Sequence, residues 1–70
     1  MRATYTFTVP KVDLADFNPG HGTNTVRQEA GWLRQTYGVS VRTRVIGNDV
    51  EFFVSGKARA IDDIWNLMNT

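Results

Sequence analysis

Gly47-Asn48 separates two stretches of alternating apolar and polar residues, and a two-residue loop of this kind leaves its flanking strands one way to pair. Before it, Val39, Val41, Thr43 and Val45 share one side of a strand predicted from Val39 to Ile46. After it, Val50, Phe52 and Val54 continue the buried side. The loop sets Val45 against Val50, Arg44 against Glu51, Thr43 against Phe52, Arg42 against Phe53 and Val41 against Val54. Apolar residues meet apolar ones and an arginine meets a glutamate, so the register agrees with itself along its length.

The rest of the chain must cover the apolar side of that hairpin. Ala3 to Val9 alternates too, with Tyr5, Phe7 and Val9 on one face and Thr4, Thr6 and Thr8 on the other, and Pro10 ends it. Residues 10–24 hold two prolines and two glycines, and Asn18-Pro19-Gly20-His21-Gly22 reads as a turn or loop. Val12, Leu14 and Phe17 are placed to pin the earlier part of this segment to the core through one helical turn. Thr25 with Gln28 makes a capping box. The apolar stripe that follows, Val26, Ala30, Leu33 and Tyr37, has helical period, and Gly38 sits where a left-handed cap belongs. A last helix, over 57–69, puts Ile61, Ile64, Trp65 and Met68 on one stripe, with Arg59, Asp62, Asp63 and Asn66 opposite. Both helices are one-sided and therefore cover the same face of the sheet. A right-handed crossover makes the first strand parallel to the second and leaves room for the third between them. The expectation is one domain over residues 1–70, an α+β fold of β-α-β-β-α order. Its three-stranded sheet is ordered 1-3-2, two helices pack on one face, and Phe7, Leu33, Phe52 and Trp65 are buried together.

Composition then narrows the function. A core of 70 residues rarely supplies more than roughly 3–5 kcal/mol, which leaves little to spend on a strained, dry catalytic pocket. There is no cysteine, so disulfides and thiolate metal sites are excluded, and the single histidine cannot build a zinc site. The chain reads as a binding protein with no cofactor, not an enzyme. Its first residues lack the apolar run of a signal peptide and no stretch is long enough to span a membrane, which points to the cytoplasm. The net charge of +1 is small. Six of the eight basic residues are arginine, the side chain better suited to bidentate phosphate and carboxylate contacts.

Four features remain once the core is assigned. The outer face of the sheet carries Thr4, Thr6, Thr8, Ser40, Arg42, Arg44, Glu51 and Phe53; an aromatic beside arginines there can stack bases and hold phosphates, or simply be solvated. On the first helix, Arg27, Gly31, Arg34 and Gln35 share a polar side, and Trp32 lies about 120° from the stripe at 100° per residue. Gly31 costs roughly 1 kcal/mol against alanine in mid-helix, which suggests close approach of another backbone. The loop Gly20-His21-Gly22-Thr23, feeding a helix N-terminus, offers N–H groups to a phosphate and equally suits a plain turn. Asp62 and Asp63 diverge on their helix and read as solvated.

Taken together, the chain resembles the KH domain, a module that binds single-stranded RNA or DNA. Val50-Glu51-Phe52-Phe53-Val54-Ser55-Gly56, followed by Ala60-Ile61 and Ile64, is similar to that family's final strand, its Ser-Gly and its closing helix. Val9-Pro10 is similar to its opening Val-Pro, and the loop from Gly20 to Thr23 stands where the family carries a Gly-x-x-Gly clamp. The second glycine of the clamp is missing, and Phe17-Asn18-Pro19 replaces the apolar residues that normally precede it. The resemblance implies binding of single-stranded nucleic acid, with Gly20, His21, Gly22 and Arg27 in a groove beside the first helix. The competing expectation is a protein-binding inhibitor or adaptor, or a dimerising accessory protein of mobile-element type. Such a protein would act through Trp32, Arg34 and their helix face, or through Phe53, Arg42 and Arg44 on the sheet.

Overall fold

The strand Asp49–Lys57 (β3) decides the architecture, because both other strands are built on it. Residues 1–14 and 25–69 of the computed structural model are described here. Arg2–Pro10 (β1) pairs antiparallel with one side of β3 and Ser40–Ile46 (β2) with the other, giving the order β1-β3-β2. β1 and β2 are therefore parallel to each other, as the right-handed crossover requires. The hairpin register is the expected one, from Val41 opposite Val54 to Val45 opposite Val50. At its tip Gly47 has φ 57°, the positive value that a type II′ turn places on glycine at its first central position.

Two helices lie on one face. Val26–Tyr37 (α1) starts with the expected capping box: Gln28 N–H donates to Thr25 Oγ1 and Thr25 N–H to Gln28 Oε1, both at 3.1 Å. It ends at Gly38, whose φ of 66° makes a left-handed cap. Ala58–Met68 (α2) follows β3 without a connecting loop and carries no side-chain cap, so packing rather than capping holds it. α1 packs on β2, and α2 packs on β1 and β3. After β1 a 3-10 turn, Lys11–Asp13, delivers Leu14 to the core.

The core is one cluster. Leu33 of α1 and Ile61 and Ile64 of α2 are buried with Val41 of β2 and Val50, Phe52 and Val54 of β3. Phe52 is fully buried, and its ring stacks on that of its strand neighbour Phe7 at 5.0 Å and 3°. Phe7 itself is only half-buried, since β1 is an edge strand. Trp65 departs from the expectation: it is 51% exposed. At 100° per residue, Met68 and Ile61 fall within about 60° of Ile64, while Trp65 stands about 40° further round and slides off the buried stripe. Gly56 is fitted closely, because a Cβ there would meet Val39 Cγ1 at 2.8 Å. The β3 backbone must lie bare at that point for Val39 to fold down after the Gly38 cap.

Phe52→Ala is expected to cost on the order of 3–5 kcal/mol, close to what a domain this small has to lose. Phe53→Ala, one residue on and facing the other way, should cost far less. Urea unfolding of the two variants compares them directly. A larger loss for Phe53→Ala would mean that the facing of β3 is reversed.

Candidate functional site

Which backbone groups the sheet leaves open follows from its ladder. Lys11 N–H donates to Asn48 O at 2.9 Å and Ala58 N–H to Met1 O at 3.1 Å, extending the β1–β3 register at both ends. Hydrogen-bonded pairs alternate in an antiparallel ladder, so the odd-numbered residues of β1 bond to β3. Thr4, Thr6 and Thr8 turn their N–H and C=O outward. On β3 the even-numbered residues are then used by β1 and the odd-numbered ones by β2. Val41, Thr43 and Val45 accordingly turn their backbone groups to the outer edge of β2.

One of those groups is taken. Arg34 Nη2 donates to the Val41 carbonyl at 2.8 Å, which ties α1 to the outer edge of β2. Seven residues earlier, two helical turns away, Arg27 lies on the same flank at about 10 Å along the axis. Val26, Arg27, Ala30, Arg34 and Thr43 line a shallow groove between helix and strand edge. Val26 and Ala30 are its apolar members, and among the described residues its two charged ones are both arginine. Thr43 brings the next outward pair of backbone groups to it. A groove that brings together two guanidinium groups, apolar side chains and a strand edge suits a ligand with anionic and flat apolar parts.

The open face of the sheet is arranged in rows across the strands. Thr4, Ser55 and Ser40 form one row, Thr6, Phe53 and Arg42 the next, and Thr8, Glu51 and Arg44 a third. Arg44 is committed twice: Nη2 donates to Glu51 Oε1 at 2.9 Å, and its Cζ stands 5.6 Å from the centre of the Phe53 ring. Exposed pairs of this kind contribute little to stability, but the pair neutralises Arg44 as a phosphate ligand. Arg42 has no carboxylate beside it in its row. Together with Arg2, Thr4, Ser40, Phe53 and Ser55 it lines a second shallow depression.

The candidate residues thus fall into separate places. Arg27 and Arg34 share the groove beside α1, while Arg42, Arg44 and Phe53 share the open face on the opposite side of the sheet. Trp32 is 46% exposed, away from both, with its ring edge-on to that of Tyr37 at 5.8 Å. Gly20, His21 and Gly22 lie outside the described residues. At Gly31, nothing among the described residues comes within 4 Å of where a Cβ would stand, so no neighbouring backbone accounts for the glycine. The sequence reading missed Arg34 as a clasp on the strand edge, since only the ladder shows that the Val41 carbonyl points outward. It also missed Arg2, which donates to Ser55 Oγ at 3.3 Å: β1 begins one residue earlier than its alternation suggested. Among the described residues no group of three His, Cys, Asp or Glu side chains comes together as metal ligands would. No helix of the described residues is long and apolar enough to cross a membrane.

No protein-family model, curated protein or solved structure matches this chain.

Two substitutions on α1 test this arrangement through stability. Gly31→Ala removes the backbone entropy cost of a helical glycine and meets no clash among the described residues, so it should stabilise the domain by roughly 1 kcal/mol. Arg34→Met keeps the stem but loses the charged donor to Val41, and should destabilise by about 1–2 kcal/mol. Thermal or urea unfolding reads both, and opposite signs for the two are the expected result.

Proposed function

We propose that this domain is a non-enzymatic, KH-like binding module that takes single-stranded RNA or DNA in the groove between α1 and the outer edge of β2, in the cytoplasm. What supports this most is the meeting of Arg27 and Arg34 with Thr43, Val26 and Ala30. In this reading the two arginines contact phosphates. Arg34 gives one donor to Val41 and keeps the rest of its five-donor fork for the ligand. Bases lie on Val26 and Ala30, where their edges meet the outward N–H and C=O of Thr43. Single strands are the suitable ligand because their bases are free to turn into a narrow cleft. In sequence Gly20 to Thr23 stand just before the Thr25 cap of α1, and the KH-like reading assigns them to the next phosphate. The open face is the weaker candidate, because Glu51 already holds Arg44.

The competing reading is a protein partner, and the exposed Trp32 favours it. Interface energy concentrates in buried aromatic and arginine anchors, and a half-exposed tryptophan on a polar helix face is such an anchor in waiting. The two readings separate by salt and by residue.

Labelled single strands titrated at low salt, followed by fluorescence anisotropy, should show weak binding that falls as salt rises. A slope of about −0.7 per phosphate contacted is expected. Arg27→Ala should weaken binding several-fold and flatten the slope by about one such step. Gly22→Asp should also weaken it, whereas the pair Arg42→Ala with Phe53→Ala should leave it unchanged. Loss of binding in that pair but not in Arg27→Ala would move the site to the open face. No binding to any strand at low salt would remove the nucleic-acid reading and leave Trp32 as the residue to pursue.

A further inference from the structure

The two edges of the sheet are treated differently. The outer edge of β2 has α1 beside it, Arg34 bonded to the Val41 carbonyl, and Arg42 and Arg44 along the strand. Such charges and coverings are how proteins keep an edge from pairing. Among the described residues β1 has none of this between Ala3 and Val9. It is a nine-residue strand whose seven middle residues, Ala-Thr-Tyr-Thr-Phe-Thr-Val, carry no charge and no glycine, and are mostly β-branched or aromatic. Thr4, Thr6 and Thr8 point their backbone N–H and C=O outward. Among the described residues no backbone hydrogen bond reaches them. A long, uncharged, open edge is a template for another strand.

The sequence of β1 says which strand fits. Folded back antiparallel on itself about Thr6, it places Thr6 opposite Thr6, Thr4 opposite Thr8, Tyr5 opposite Phe7, and Ala3 opposite Val9. Every facing pair is then hydroxyl with hydroxyl or apolar with apolar, the pairings that stabilise a sheet. Arg2 falls opposite Pro10, so no like charges meet, and the only residue without an N–H sits at the end of the ladder. Thr4, Thr6 and Thr8 are also the residues whose backbone groups face outward, so backbone bonding and side-chain matching agree on one register. Tyr5 and Phe7 are only half-buried in one copy and gain cover from each other in two.

α2 supplies the second contact. Asn69 Nδ2 donates to the Tyr5 hydroxyl at 3.2 Å, which marks the flank of α2 turned toward the outer side of β1. Trp65, four residues before Asn69, lies on that same flank and is 51% exposed. A two-fold axis between the two Thr6 residues, perpendicular to the sheet, keeps all helices on one side. It brings each Trp65 toward the half of the partner's β1 that holds Phe7 and Val9.

We propose that two copies of this chain join edge to edge through β1, in antiparallel register centred on Thr6, to form one continuous six-stranded sheet flanked by the two Trp65 side chains. The closed two-fold arrangement leaves β2, with its arginines, as the edge at both ends, and so stops growth at two copies.

Sedimentation equilibrium, or light scattering after gel filtration, at up to ~100 µM should give twice the chain mass of 7.9 kDa. Amide hydrogen exchange should find Thr4, Thr6 and Thr8 protected in the dimer. Thr6→Lys sets two ammonium groups face to face on the axis and should shift the protein to monomer, weakening association at least tenfold. Trp65→Ala, at an exposed position, should weaken association while the circular dichroism spectrum stays that of the folded chain. The proposal is overturned by a folded wild-type monomer at that concentration. It is equally overturned by a dimer that survives both variants, or by one in which the Thr4, Thr6 and Thr8 amides exchange freely.

Discussion

Phe52 on the middle strand is the contact on which the rest of the domain rests. It has strands on both sides, helices above it, and the Phe7 ring stacked on its own. It joins β1, which is far away in sequence, to the local unit of α1, β2 and β3. Without that ring the first strand keeps its backbone ladder but loses its largest fully buried side-chain partner. A domain this small has little other core to fall back on. The bare backbone at Gly56, which lets Val39 fold down beside the strand, belongs to the same economy of space.

Much of this architecture was legible in the sequence because short-range rules fix it. The Gly47-Asn48 turn sets the hairpin register, the Thr25–Gln28 box begins α1 and Gly38 ends it. Strand order then follows from the handedness of the crossover. Trp65 was misread because an apolar stripe on a helix has a width, and counting apolar residues at i and i+4 does not say where its border falls. Ile61, Ile64 and Met68 fill the width available, and the bulkiest member is the one left outside. Position along α1 could be read; what each residue faces could not. Arg34 looks like any polar helix residue until the ladder shows which Val41 group it meets. Gly31 looked like a point of close approach and has open space around it among the described residues.

The candidate groove and the open face show how little charge decides in a near-neutral protein. The groove has two arginines, Arg27 and Arg34, and the open face three, Arg2, Arg42 and Arg44. They differ in what else stands near: Glu51 takes Arg44 out of play on the sheet, whereas among the described residues no carboxylate lines the groove beside α1. The groove also borrows the backbone of a strand edge, which supplies donors and acceptors at fixed spacing without any side chain. Recognition of that kind rests on where a ladder stops, which composition cannot report.

The order β1-β3-β2 also has a consequence for how the chain is made. β1 precedes its partner β3 by the whole of α1 and β2, and synthesis at about 5–20 residues per second leaves it without that partner for some seconds. During that interval the hairpin and α1 can assemble through local contacts, while the alternating Tyr5, Phe7 and Val9 wait for a sheet to join. The threonines between them keep the waiting segment wettable on one side. β1 is thus made first and docked last, and a nascent chain held up between Pro10 and Asp49 would be the form of this protein most exposed to mispairing.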